Sequence, residues 1–146
     1  MSPRKIIIDT DPGQDDAVAI LLALASPEDL DVLGIVAVAG NVPLNLTEKN
    51  ARIVCELAGK TDVLVFSGCD RPLGRPLVTA EHVHGKSGLD GPDLPDPTMP
   101  LQTQHGVDFI IDTLRNEPAN TVTLCVLGPL TNIATAFQKA PDVVDR

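Results

Sequence analysis

The octapeptide Asp9-Thr10-Asp11-Pro12-Gly13-Gln14-Asp15-Asp16 carries four carboxylates directly after the apolar run Ile6-Ile7-Ile8. Folding is expected to crowd those acids, and like charges held that close repel. A cation bound among them would relieve the repulsion. Hard oxygen donors suit Ca²⁺ or Mg²⁺ better than zinc. Asp9 and Asp11 are two apart, which predicts that they project from one side of an extended strand end. Asp16 would return from the start of the following helix. Turn and cap preferences of Asp explain one or two of these acids, but not four.

The elements that must position them alternate. A strand is predicted over 5–8, a turn over 11–13 and a helix over 15–25, with Val18, Leu21, Leu22 and Ala25 as its apolar face. Asp15 and Asp16 then occupy the first turn, where the helix dipole favours negative charge. Further strands are predicted over 31–38, 63–66 and 121–127, and helices over 46–57, 106–115 and from 128 toward 138. Residues 68–104 form a long Pro- and Gly-rich stretch with little periodicity, of the kind that often carries function. The alternation implies an α/β fold with a mostly parallel, doubly wound, Rossmann-like sheet. Ligands of such sheets bind at the C-terminal strand ends, where the acids, Gly40-Asn41 and Leu127-Gly128 all fall.

Composition narrows the class. The chain has 146 residues, 43% hydrophobic and 21% charged, which suits one domain with a core. Aromatics are 2%, so that core must be aliphatic. A formal net charge of −9 argues against nucleic acid, because little is available to neutralise phosphates. Cys55, Cys69 and Cys125 form no CxxC pair and read as reduced thiols of a cytoplasmic protein. No signal peptide is expected, because Asp9 follows the short apolar run so closely, and 20–25 is too short to span a bilayer. His84-Gly85-Lys86-Ser87 is not a phosphate loop: Ala80 stands where that pattern needs Gly, and Gly88, Gly91 and Pro92 follow instead of a helix.

The stretch 9–17 resembles the N-terminal signature of the nucleoside hydrolases, the inosine–uridine-preferring type. Gly40-Asn41, His82-Val83-His84-Gly85 and Leu127-Gly128-Pro129-Leu130-Thr131-Asn132-Ile133-Ala134 resemble later motifs of that family, in the same order. The resemblance implies calcium-dependent hydrolysis of the N-glycosidic bond of ribonucleosides. Asp11 would ligate Ca²⁺ and act as general base on the attacking water. Asp16 would be a second ligand and the Leu127 carbonyl a third. Asp15 and Asn41 would hold ribose hydroxyls, His84 would lie near the nucleobase, and Asp9 would support the loop. His82 and His105 read as surface residues, and Thr131-Asn132 as a helix start whose capping and packing weigh as much as any contact role.

The chemistry is coherent: carboxylates stabilise an oxocarbenium-like transition state, and an adjacent carboxylate takes the proton from water. Members of the family extend past the position of Arg146. The expectation is an N-terminal half, lacking a further Asp ligand and a leaving-group His, that binds calcium weakly and turns over little. Relatives are commonly dimers or tetramers, which suggests a homo-oligomer. The absence of Trp leans toward inosine, uridine or pyrimidine nucleosides. Two other classes are rivals: a Mg²⁺ phosphatase of the haloacid dehalogenase type, which shares the Asp-x-Asp but usually has a Gly-Thr-like step instead of Pro-Gly, and a receiver-like signalling domain with an acidic pocket, which needs an acceptor Asp ending its third strand. A non-catalytic metal-binding or assembly module is the remaining alternative.

Overall fold

The computed structural model describes residues 2–146. Four strands, β1 (Arg4–Thr10), β2 (Leu30–Ala37), β3 (Val65–Ser67) and β4 (Val122–Val126), form one sheet in the order β3-β2-β1-β4. Every pairing is parallel. Helices α1 (Gln14–Leu24) and α2 (Leu44–Leu57) connect the first three strands. The short α3 (Glu81–His84) lies in the long connection to α4 (Gly106–Asn116). Helix α5 (Thr131–Lys139) and a 3-10 turn at Pro141–Val143 follow β4.

Alternation along β1 sorts the core into two layers. Ile6 and Ile8 pack with Ile20, Ala23 and Leu24 of α1 and with Ala51, Val54 and Cys55 of α2. Ile7 faces the other way, onto Val107, Ile110, Ile111 and Leu114 of α4 and Ile133 and Ala136 of α5. A sheet covered on both faces explains why its strands read as continuous apolar runs. Phe109 stacks on Phe66 with ring centroids 3.9 Å apart. Gly34 makes room for that stack, since a Cβ there would fall 2.7 Å from the Phe109 ring.

Chain direction across the sheet reverses between β1 and β4. From β1 the chain steps outward to β2 and β3, then crosses back to place β4 on the other side of β1. The crevice at such a reversal is where open parallel sheets bind ligands.

Two expectations need correction. The face of α1 formed by Val18, Leu21, Leu22 and Ala25 is exposed, and Asp16, Ile20, Ala23 and Leu24 are buried instead. Asp16 sets this phase: it is turned inward to the Thr10 hydroxyl, and positions four, seven and eight residues later must then face the sheet. Residues 68–104 are not wholly irregular, because α3 forms within them. Helix α2 ends where expected. Gly59, at φ +67°, lets its own N–H reach Glu56 O and the Lys60 N–H reach Cys55 O, both at 2.9 Å. No helix is long and apolar enough to cross a membrane among the described residues, and all three cysteines are free.

Candidate functional site

β1 continues two residues beyond the expected strand, so Asp9 and Thr10 sit in the ladder and Asp11 just past it. Successive residues therefore face opposite layers. Asp9 turns to the α5 side, where its Oδ2 accepts from Asn132 Nδ2 at 2.8 Å. Thr10 turns to the α1 side, where its hydroxyl donates to Asp16 Oδ1 at 2.8 Å. Asp16 Oδ2 also accepts the Gly13 N–H at 3.4 Å.

Asp11 lies between two glycines. A Cβ on Gly40 would overlap its carboxylate, and one on Gly128 would fall 2.7 Å from Oδ1. Both positions must be glycine for the backbone to approach this closely. Asn41 anchors Asp11 twice: its N–H donates to Asp11 Oδ2 at 2.8 Å, and its Nδ2 to Asp11 O at 2.9 Å. The turn after β4 closes on the same strand end, with the Leu127 and Gly128 N–H groups donating to Asp9 O at 2.8 and 3.4 Å.

The four acids do not converge on one point. Asp9, Asp11 and Asp16 are buried, whereas Asp15 is exposed on the first turn of α1. Among the described residues, no three His, Cys, Asp or Glu side chains form a group that could hold a metal. The alternation of β1 is the reason, since it sends the Asp9 and Asp16 carboxylates to opposite layers. Beside Asp11 and Asp16, the described residues offer backbone oxygen, and the Leu127 carbonyl belongs to the turn that packs on Asp11.

The electrostatics favour a cation. No ion pair among the described residues includes Asp9, Asp11 or Asp16. Burial pushes the Asp9 carboxyl up to about 7 against the lowering hydrogen bond from Asn132, and the neighbouring Asp11 charge adds to the rise. Burial likewise raises Asp11 to about 6, opposed by the Asn41 N–H and reinforced by the charges of Asp16 and Asp15. Among the described residues, none supplies a hydrogen-bond partner to the buried Asp9 Oδ1. Concentrated, unneutralised carboxylate oxygen fits a hard divalent ion.

The segment after β3 covers one side of the site. His84 packs over Gly13, where a Cβ would fall 2.6 Å from its Nδ1. That Nδ1 is 2.5 Å from Gln14 Oε1, and Gln14 Nε2 donates to His84 O and Asp90 O at 3.4 and 3.3 Å. Asn50, buried in α2, donates through Nδ2 to Pro12 O at 3.2 Å and Ser87 O at 2.8 Å. A cleft of about 330 Å³ opens beside Gly40, lined mainly by apolar residues that include Leu73, Val78 and Leu130. His82 and His105 are exposed, as expected, and His105 Nδ1 accepts the Val107 N–H to cap α4.

Sequence reasoning missed Thr10, Asn50 and Gln14, and for Asn132 it left a capping and packing role level with a contact role. Asn50 left a signal, because it shares the buried stripe of α2 with Thr47, Ala51 and Val54. Asn132 does not cap α5; it reaches across the end of the sheet.

Residues 6–146 match the family model described as inosine-uridine preferring nucleoside hydrolase. The chain is 45% identical over 145 residues to the inosine-uridine preferring nucleoside hydrolase of Crithidia fasciculata, covering 99% of this chain and 46% of that protein. It is 47% identical over 138 residues to the pyrimidine-specific ribonucleoside hydrolase RihA of Escherichia coli, covering 94% and 44%. Among solved structures, the purine-preferring ribonucleoside hydrolase of Gardnerella vaginalis aligns with a TM-score of 0.90 at 33% identity, covering 97% of this chain and 46% of that one. The chain thus spans about half the length of the curated relatives it matches. With the acid loop, the Gly40-Asn41 step and the Leu127-Gly128 turn brought together at one sheet reversal, and with a match along nearly its whole length, the chain belongs to the inosine-uridine preferring nucleoside hydrolase family.

Proposed function

We propose that this chain contributes the N-terminal part of a calcium-dependent site that hydrolyses the N-glycosidic bond of ribonucleosides. The observation that carries the reading is Asp11, buried between Gly40 and Gly128 at the sheet reversal and in none of the ion pairs among the described residues. Asp11, Asp16 and the Leu127 carbonyl would hold the ion. When bound, calcium would supply Lewis acidity and a fixed position for the attacking water.

The chain's own residues do the rest. Asp11 accepts the proton of the attacking water, held in place for it by the two Asn41 hydrogen bonds. Asp15, exposed at the start of α1, is available to a ribose hydroxyl, and so is the Asn41 side-chain oxygen. The acids together favour the positive charge that develops on the ribose ring. His84, over Gly13, is close enough to the acid loop to contact a base. Relatives named for inosine-uridine, pyrimidine and purine preference all align with this region. The proposal is accordingly made for ribonucleosides as a class, with inosine and uridine as the first substrates to try.

The test has two arms: calorimetric titration with calcium, and release of ribose from inosine and uridine with calcium or a chelator. Calcium binding that is lost in Asp11→Asn is the expected result. Equal calcium affinity in wild type and Asp11→Asn would remove Asp11 from the site. Phosphate release from sugar phosphates, without ribose release, would move the chemistry to the phosphatase class.

A further inference from the structure

Asn132 is fully buried in the first turn of α5, and every hydrogen-bonding group of its carboxamide is engaged away from its own helix. Nδ2 donates to Asp9 Oδ2 at 2.8 Å and to Ala37 O at 3.2 Å, and Oδ1 accepts the Cys69 N–H at 2.7 Å. Only one orientation of the amide satisfies these partners, because flipping it would set Oδ1 against a carboxylate and a carbonyl. Gly68 closes over the group, and a Cβ there would overlap the carboxamide. One side chain thus joins the ends of β1 and β2, the exit from β3 and the start of α5.

The same two segments meet a second time through the backbone, where the Leu127 and Gly128 N–H groups converge on Asp9 O. Asp9 is therefore gripped at its main chain by the turn before α5 and at its side chain by the first turn of α5. Two residues further along, Asp11 lies against Gly128. Oxygen donors contributed by separate segments work together only if their separation is fixed.

We propose that Asn132 is a positioning residue of this site: by clamping the first turn of α5 to Asp9 it fixes the Leu127–Gly128 turn against the Asp11 loop. The inference rests on the reading of Asp11 and Leu127 as parts of one ligand site.

The test compares amide hydrogen exchange and calcium titration of the whole 146-residue chain with those of three variants: Asn132→Asp, Asn132→Ser and the double variant Asp9→Asn/Asn132→Asp. Asn132→Asp sets one carboxylate against another at almost unchanged volume. Leu127 and Gly128 amides should then exchange at least ~10-fold faster while Ile7 and Ile35 in the sheet hold, and calcium binding should weaken roughly 10- to 100-fold, as for other residues that orient metal ligands. The double variant restores a donor facing an acceptor, with the polarity reversed, and should recover part of both losses. If Asn132→Asp does not fold, Asn132→Ser, which is neutral and too short to reach Asp9, is read in its place. Unchanged protection at Leu127 and Gly128 overturns the proposal. So does a uniform loss of protection through all strands that the double variant fails to relieve. If wild type binds no calcium, the functional reading falls, and the exchange comparison still decides whether Asn132 sets the turn.

Discussion

The acid loop and the segment that covers it are held by different means. Residues 9–16 are cross-braced from both faces of the sheet: Asn132 holds Asp9, Thr10 holds Asp16, and Asn41 holds Asp11 from the adjacent strand end. Residues 81–90 instead hold their own shape, with Asp90 accepting from the Lys86 and Ser87 N–H groups at 3.0 Å. Apart from Leu89, which packs into the core layer of α1 and α2, they are tied to the rest of the chain by side-chain amides of Asn50 and Gln14. The carboxylates sit where the fold is most constrained, and the histidine sits where attachment is lightest. Segments fixed by few interactions open at low free-energy cost, so motion near the site should be confined to the covering segment.

The largest expected difference is between two glycines. In Gly128→Ala the new Cβ would meet Asp11 Oδ1 at 2.7 Å, whereas Gly74, in the connection that leads from β3 to the covering segment, has no described atom within 4 Å. Overpacking a constrained region costs about 1–3 kcal/mol. Gly128→Ala should lose that much stability in urea unfolding and lose calcium binding by an order of magnitude or more. Gly74→Ala should stay within about 0.5 kcal/mol of wild type, as an open surface site does. Equal effects would erase the contrast between the regions.

Next in size is a pH effect confined to the acid loop. The folded-state values of Asp9 and Asp11 lie at about 7 and about 6, above the unfolded value of 3.8. Between those limits the folded chain binds more protons than the unfolded chain, so stability falls as pH rises. The urea midpoint should therefore decline from about pH 4.5 to about pH 8 and level off above, where both groups are ionised in both states. Asp9→Asn should flatten much of the decline, and calcium should raise the midpoint at pH 7.5 more than at pH 4.5. A midpoint that rises across this interval would mean that the loop is not a store of uncompensated charge.

Sequence and structure agree most where a signal is local. The strands, α2 and α4 declared themselves through apolar runs and helical spacing, and Gly59 marked the end of α2 by its chemistry. The buried face of α1 did not, because Val18, Ile20, Leu21, Leu22, Ala23 and Leu24 offer aliphatic residues all round the helix. The deciding residue is Asp16, whose inward pull depends on a contact with Thr10. Polar Asp9 and Thr10 looked like a strand end, yet the ladder continues through them because their side chains find partners in each layer. At the site, the acids were legible as acids, but their braces were not. Asn132 lies 123 residues from Asp9, and no spacing rule connects them. The four-residue α3 is too short to show a period.

A smaller effect is expected at Asn50, the brace between the acid loop and the covering segment. Asn50→Ala leaves the Pro12 and Ser87 carbonyls without their donor, and an unpaired buried polar group costs about 1–3 kcal/mol. Because Ser87 can turn toward solvent, the loss should fall near the lower end. Exchange should quicken at Gly88 and Leu89, whose side of the segment is buried, before it does in α1. Quickening in α1 first would place Asn50 with the rigid region.

The smallest effect on stability should come from Gln14, and it separates attachment from shape most cleanly. Its side chain is exposed, its donor bonds to the His84 and Asp90 carbonyls are long, at 3.4 and 3.3 Å, and its 2.5 Å contact with His84 Nδ1 is also open to solvent. Solvent competes for such groups, so Gln14→Ala should change the unfolding free energy by no more than about 0.5 kcal/mol. The Lys86 and Ser87 N–H groups should keep their protection, because Asp90 supplies their acceptors from within the segment. Trypsin cleavage after Lys86 should nevertheless rise several-fold, since Gln14 is one of the two side chains tying this stretch to the acid loop. Unchanged cleavage would assign the attachment to Asn50 and the buried Leu89. Lost protection at Lys86 and Ser87 would show instead that the turn depends on Gln14 for its shape, and the covering segment would then be as braced as the loop beneath it.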